Sequence, residues 1–147
     1  MDPTPSVPVL DLFSLKGQNA LITGASRGIG AACALALAQA GANLCLVLRP
    51  PADSSSSSST PDIINTISAA CPNIRTEVVH VDLSDIPSVK AAFPQALEKM
   101  NGEIDIFVNC AGIQRRAPAE VFSEEYWDEV ASLFSNFRKD EPTEGSL

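Results

Sequence analysis

The sequence predicts an α/β fold: a doubly wound parallel sheet of about four strands in the order 3-2-1-4. Three observations predict it. Apolar runs of strand length alternate with helix-like segments, β-α-β-α-β-α-β-α, and such alternation builds a parallel sheet with right-handed crossovers and helices on both faces. The run Leu44-Cys45-Leu46-Val47-Leu48 is apolar at every position, as a strand covered on both sides must be. A glycine-rich turn, Thr23 to Gly30, joins the first strand to the first helix.

The elements are taken in chain order. Met1 to Phe13 holds three prolines and no basic residue, which suits a flexible arm over residues 1–14 and not a secretory signal. Asn19 to Ile22 is a short apolar strand meeting a turn at Thr23-Gly24. Ile29 to Gln39 is rich in small, helix-forming residues, and Gly41 ends that helix. Leu44 to Leu48 is the second strand. Residues 50–61 hold six consecutive serines, Ser54 to Ser59, between prolines, a low-complexity loop tolerated at the surface. Pro61 to Ala70 carries Ile63, Ile64 and Ile67 on one face of a short helix. Glu77 to Val81 is the third strand. Ser84 is expected to cap a helix running to about Met100 with Asp85 in its first turn, kinked or broken near Phe93 because Pro94 stands inside it. Ile104 to Val108 is the fourth strand, and Ser123-Glu124-Glu125 starts a last helix through Trp127 and Val130.

Composition narrows the function classes. The 147 residues are 45% hydrophobic and 19% charged, an ordinary balance for a folded domain. A net charge of −8 argues against a nucleic-acid or anionic-membrane surface, because phosphates are met with basic density. No apolar run approaches the roughly 18 residues that span a bilayer. Cys33, Cys45, Cys71 and Cys110 form no Cys-x-x-Cys pair, and with His80 the only histidine no metal site is expected. Reduced thiols in a cytoplasmic protein are expected.

The chemistry is carried by Thr23-Gly24-Ala25-Ser26-Arg27-Gly28-Ile29-Gly30. In this context, after a strand and opening a helix, glycines signal dinucleotide binding. Gly24 permits a sharp turn, Gly28 lets a pyrophosphate approach the backbone, and Gly30 lets the helix pack closely. Unpaired N–H groups at the helix start face the phosphates. Arg49 ends the second strand where an acidic residue would favour NAD. With Arg27 it presents guanidinium groups suited to a 2′-phosphate, which favours NADP; the alternative is that Arg49 points into solvent.

The pattern Gly-x-x-x-Gly-x-Gly, Asp82-Leu83 after the third strand and Asn109-Cys110-Ala111-Gly112 after the fourth together resemble the classical short-chain dehydrogenase/reductase family. The family carries Asn-Asn-Ala-Gly at the last of these, so Cys110 is a departure. The resemblance runs from about Leu15 to Val130 and implies a Rossmann-like half-domain over residues 15–130. It implies that Gly24, Ser26, Arg27, Gly28, Ile29 and Gly30 cradle the pyrophosphate and the 2′-phosphate corner. Asp82 and Leu83 would flank the adenine, and Asn109, Ala111 and Gly112 the ribose side. The run Ala111 to Glu120, with Phe122-Ser123 and Trp127-Asp128, is most similar to the 2-deoxy-D-gluconate 3-dehydrogenase branch. That branch implies a ketone or alcohol of a small polar substrate, such as a sugar acid, and commonly NAD, so NADP and NAD both stay open. Arg115 and Arg116 would grip a substrate carboxylate, or else pair with nearby acids such as Glu120 or with a neighbouring subunit.

The resemblance also implies a catalytic Ser and a Tyr-x-x-x-Lys segment, in which the Lys lowers the pKa of a phenol near about 10. Neither is in this sequence. Tyr126 is followed four residues later by Val130, and the position expected for the family's helix Asn is Phe134. Asn136 is two helical steps away, roughly 200° around the axis. From Ala131 the resemblance stops abruptly, and residues 131–147 read as a divergent polar tail. The chain is therefore expected to be the cofactor-binding front part of an oxidoreductase with no catalytic residue of its own, and to lack most of the family's subunit interface. The alternative is a non-catalytic binding or interaction module that pairs with a full-length relative.

Overall fold

A computed structural model describes residues 8–50 and 62–135. Four strands form one all-parallel sheet: β1 (Asn19–Thr23), β2 (Asn43–Leu48), β3 (Thr76–His80) and β4 (Ile106–Asn109), in the spatial order β3-β2-β1-β4. The helices are α1 (Gly28–Gln39), α2 (Asp62–Ala70), α3 (Ile86–Lys99) and α4 (Glu124–Ser135). Val9–Phe13 is a 3-10 turn with no buried residue. The serine run 54–59 lies outside the described residues, as do 1–7 and 136–147.

Strand alternation sorts the core into two layers. Ala20, Ile22, Leu44, Leu46 and Leu48 pack with Ala34 and Ala38 of α1 and Ile63 and Ile67 of α2. Leu21, Cys45, Val47, Val79 and Val81 point the other way, onto Val89, Ala92 and Ala96 of α3 and Met100. Burying a Leu or Ile side chain fully contributes roughly 1.5–3 kcal/mol, and β1 and β2 are where this burial is densest. Burial pushes the Cys45 thiol up to about 11, with the Glu77 carboxylate adding to the effect. β4 differs: it alternates between half-buried and exposed residues, and Phe107 is 48% exposed.

The amino ends of the strands are tied together by side chains. Asp105 Oδ2 accepts the Asn19 N–H at 2.8 Å. Asn19 Nδ2 donates to the Glu103 carbonyl at 3.1 Å, and its Oδ1 accepts from Asn43 Nδ2 at 3.1 Å. Asn43 Oδ1 in turn accepts the Arg75 N–H at 3.3 Å.

Helix ends agree with the sequence apart from the cap of α3 and the end of α4, which continues past Val130 to Ser135 in the stretch read as a divergent tail. α1 closes as expected, the Gly41 N–H bonding to the Ala38 carbonyl and the Ala42 N–H to Leu37, the paired bonds of a glycine-terminated helix. The cap of α3 is Asp85, not Ser84: Asp85 Oδ2 accepts the Ser88 N–H at 3.1 Å. Ser84 is engaged instead by Asp82, whose Oδ1 accepts both its N–H and its hydroxyl. Pro94 does not break α3, which runs unbroken to Lys99. Pro94 is solvent-facing, so water can serve the carbonyl it leaves unpaired, while the buried face of the helix holds it to the sheet.

Candidate functional site

β1 ends at Thr23, and three glycines shape the turn into α1. Gly24 takes φ +66 with the Ala111 backbone against it; a Cβ there would stand 2.8 Å from Ala111 Cα. Gly30, in the first turn of α1, rests on Gly24 itself, and its Cβ would stand 2.3 Å from the Gly24 carbonyl oxygen. These two glycines are required by packing. Gly28 is different: it takes φ +59 and faces open space, with nothing within 4 Å of a Cβ. No side chain caps α1, so its first N–H groups are left for whatever occupies that space.

Thr23 is the fully buried polar residue of this corner. Its hydroxyl donates to Asn109 Oδ1 at 2.8 Å and accepts the Ala111 N–H at 3.0 Å. It thereby joins the carboxyl ends of β1 and β4. In the sequence Thr23 is only the edge of the glycine turn, because the partners that give it this work lie 86 and 88 residues away.

A cleft of about 720 Å³ opens at the carboxyl ends of the strands. Of the residues expected at a binding site, Gly24, Ser26, Arg27, Gly28, Arg49, Leu83, Ala111 and Gly112 line it. Four do not. Gly30 is packed beneath the turn, and Asn109 is turned to Thr23. Ile29 is 78% exposed outside the cleft. Asp82 binds Ser84. The cleft also has walls not expected as site residues from the sequence, namely Val47, Leu48, Val81, Ile113 and Cys110, the last noted only as a departure from the motif. Each lies within two residues of an expected site residue, which is the signal that could have found them.

Charge is arranged at one rim. Arg27 and Arg49 are both exposed there, and His80 Nδ1 lies 3.4 Å from the Arg49 carbonyl. The Asp82 carboxyl is held below the ordinary aspartate range, first by the Ser84 hydroxyl, then by the Ser84 N–H, with the Arg49 charge adding to both. Removal from water, and then the neighbouring Cys33 thiol, push the Cys110 thiol up. Arg115 pairs with Glu129 and not with Glu120: its guanidinium forks onto the Glu129 carboxylate, Nε to Oε2 at 2.8 Å and Nη2 to Oε1. Tyr126 stacks edge-on with Phe122, ring centres 6.1 Å apart, and is not part of the cleft lining. Among the described residues no group of three His, Cys, Asp or Glu side chains could hold a metal ion. Among the same residues no helix is long and apolar enough to cross a membrane.

This arrangement has close parallels. The model of the family described as short chain dehydrogenase matches residues 18–137. The chain is 40% identical over 126 residues to gluconate 5-dehydrogenase of Gluconobacter oxydans, covering 86% of this chain and 46% of that protein. It is 35% identical over 134 residues to 5-keto-D-gluconate 5-reductase of Escherichia coli, covering 84% and 45%. With 2-dehydro-3-deoxy-D-gluconate 5-dehydrogenase of Bacillus subtilis it shares 36% over 126 residues, covering 86% and 45%. Among solved structures, 3-oxoacyl (acyl-carrier-protein) reductase from Agrobacterium tumefaciens with NADP bound superposes with a TM-score of 0.73 at 28% identity, covering 89% of this chain and 47% of that one. The chain spans about half the length of the curated relatives it matches.

Proposed function

Because the chain belongs to the short chain dehydrogenase family, we propose that its cleft binds a nicotinamide dinucleotide, NADP in preference to NAD, as the cofactor-binding part of an oxidoreductase. The observation that carries this reading is the uncapped start of α1 behind Gly28, where the backbone faces open space. A pyrophosphate fits there without displacing any side chain, and the helix start favours its charge. Arg27 and Arg49 at the rim would hold a 2′-phosphate, and Val47, Leu48, Val81 and Leu83 give the adenine apolar walls. Ala111 and Gly112 would lie along the ribose. Similar structures carry NADP or NADPH, which supports the same choice. Such a cofactor, when bound, supplies or accepts a hydride. The residues of this chain bind and orient it; the proton-handling Ser and Tyr-x-x-x-Lys are not among them.

In the whole protein the reaction would be reduction of a ketone or oxidation of an alcohol on a small polar substrate. A sugar acid is the class, since the similar gluconate 5-dehydrogenase and 5-keto-D-gluconate 5-reductase act on a gluconate and its keto form. We place the binding unit at residues 15–130, in the cytoplasm, with no catalysis by this chain alone. A second reading, an interaction module that pairs with a full-length relative, is favoured by the half-exposed edge strand β4; co-purification with a longer homologue would support it.

The test is calorimetric titration of this chain with NADP and with NAD. NADP should bind at least about tenfold more tightly, or about 1.4 kcal/mol, and at about 100 times its Kd should stabilise the fold by about 2.7 kcal/mol. Arg49→Gln should erase the preference and leave NAD affinity as it was. Equal affinities in the original chain would overturn the NADP choice, and no binding of either would overturn the site.

A further inference from the structure

Cys110 stands in the family motif where a second Asn is usual, and the structure gives it a neighbour. Ile106 and Val108 of β4 pack on the α1 side of the sheet, so a period of two carries Cys110 to the same side. Gly30 rests on Gly24, and Gly24 rests on Cys110 and Ala111, so the first turn of α1 is drawn onto the end of β4 with no side chain between. Cys33 comes three residues after Gly30, one turn along the same helix face. Cys33 is the side chain that, after removal from water, acts on the Cys110 thiol and helps to raise it. Both are half-buried and free, and Cys110 opens to the cleft, so a small oxidant can reach the pair from there. The other two cysteines belong elsewhere: Cys45 is sealed in the α3-side core, and Cys71 packs at the end of α2.

We propose that Cys33 and Cys110 are a reversible redox modification site, closing to a disulfide under hydroperoxide. A thiolate of the pair attacks one peroxide oxygen, the O–O bond breaks, and the first water leaves, giving a sulfenic acid. The second thiol attacks that sulfur, the S–S bond forms, and the sulfenic oxygen leaves as the second water with the remaining proton. The two thiols are oxidised by two electrons in all, and one hydrogen peroxide is reduced to two waters. The bond would fasten α1 to the segment after β4 at the floor of the cleft. It does not depend on what the cleft binds.

The experiment treats the folded chain with hydrogen peroxide, then unfolds and alkylates it with iodoacetamide and maps the peptides by mass spectrometry. The expected product has lost about 2 Da before alkylation, carries alkyl groups on Cys45 and Cys71 alone, and yields one cross-linked peptide pair containing Cys33 and Cys110. Dithiothreitol should reverse it. Cys71→Ser should leave the cross-link intact, and Cys110→Ser should leave Cys33 as a sulfenic acid that dimedone traps. A cross-link through Cys71, alkylation of all four cysteines, or a sulfinic acid on Cys110 with no cross-link would each overturn the proposal.

Discussion

The two ends of the sheet are built on opposite plans. At the amino ends, hydrogen bonds run sideways across the sheet in its spatial order, from Arg75 to Asn43 to Asn19 to Asp105. Side chains there consume the polar groups that the strand starts leave over. At the carboxyl end of β1, glycines stand where a side chain would have capped the backbone, and α1 begins with no side-chain cap. The amino ends satisfy their own polar groups, whereas the start of α1 leaves backbone N–H groups facing the cleft. The contrast shows what distinguishes the glycine corner: its backbone donors are left without side-chain partners.

Three substitutions test that contrast. The largest effect should come from Gly30→Val, since a Cβ there would meet the Gly24 carbonyl oxygen at 2.3 Å and only backbone movement can relieve the clash. A loss on the order of 3 kcal/mol, read from urea unfolding, is expected together with loss of dinucleotide binding; a variant of unchanged stability would show that the stack does not hold α1. Asn19→Ala removes the middle of the amino-end chain and should cost about 2 kcal/mol while leaving dinucleotide affinity untouched. If its affinity fell by tenfold or more, the two ends would not be independent.

The smallest effect concerns pH. Asp82 is held below the ordinary aspartate range mainly by Ser84, so its ionised form contributes stability at pH above that range, and the contribution is lost as pH falls through the lowered folded value. Ser84→Ala should raise the Asp82 titration midpoint toward the ordinary aspartate range, tracked by NMR of the carboxyl carbon. A midpoint that stays where it was would mean that Arg49 and the backbone set it instead.

The sequence made the sheet legible because its signals there are local and repeated. Continuous apolar runs marked the strands, and the glycine turn with the alternating pattern marked the order 3-2-1-4. It misplaced one helix cap because Ser84 and Asp85 are both good caps, and the choice is made by Asp82, which takes the Ser84 hydroxyl. Pro94 does not end α3, because its cost is local whereas Val89, Ala92, Ala96 and Met100 hold the helix to the sheet on both sides of it. At the site, the glycines and arginines that line the cleft could be read directly. The apolar walls could not, since Val47 and Val81 look like any buried strand residue until the strand is seen to end beside an opening. The pairing of Arg115 with Glu129 was equally hidden, because it depends on how the loop between them returns.

The stack of Gly30 on Gly24 on Ala111 has a mechanical consequence. Its contacts are backbone against backbone, so no rotamer change can absorb a push. Thr23 ties the same segment to β1, its hydroxyl accepting the Ala111 N–H, so the turn and the segment after β4 meet without an adjustable side chain between them. The corner is therefore stiff: the spacing between the segment after β4 and the start of α1 is set by main chain alone.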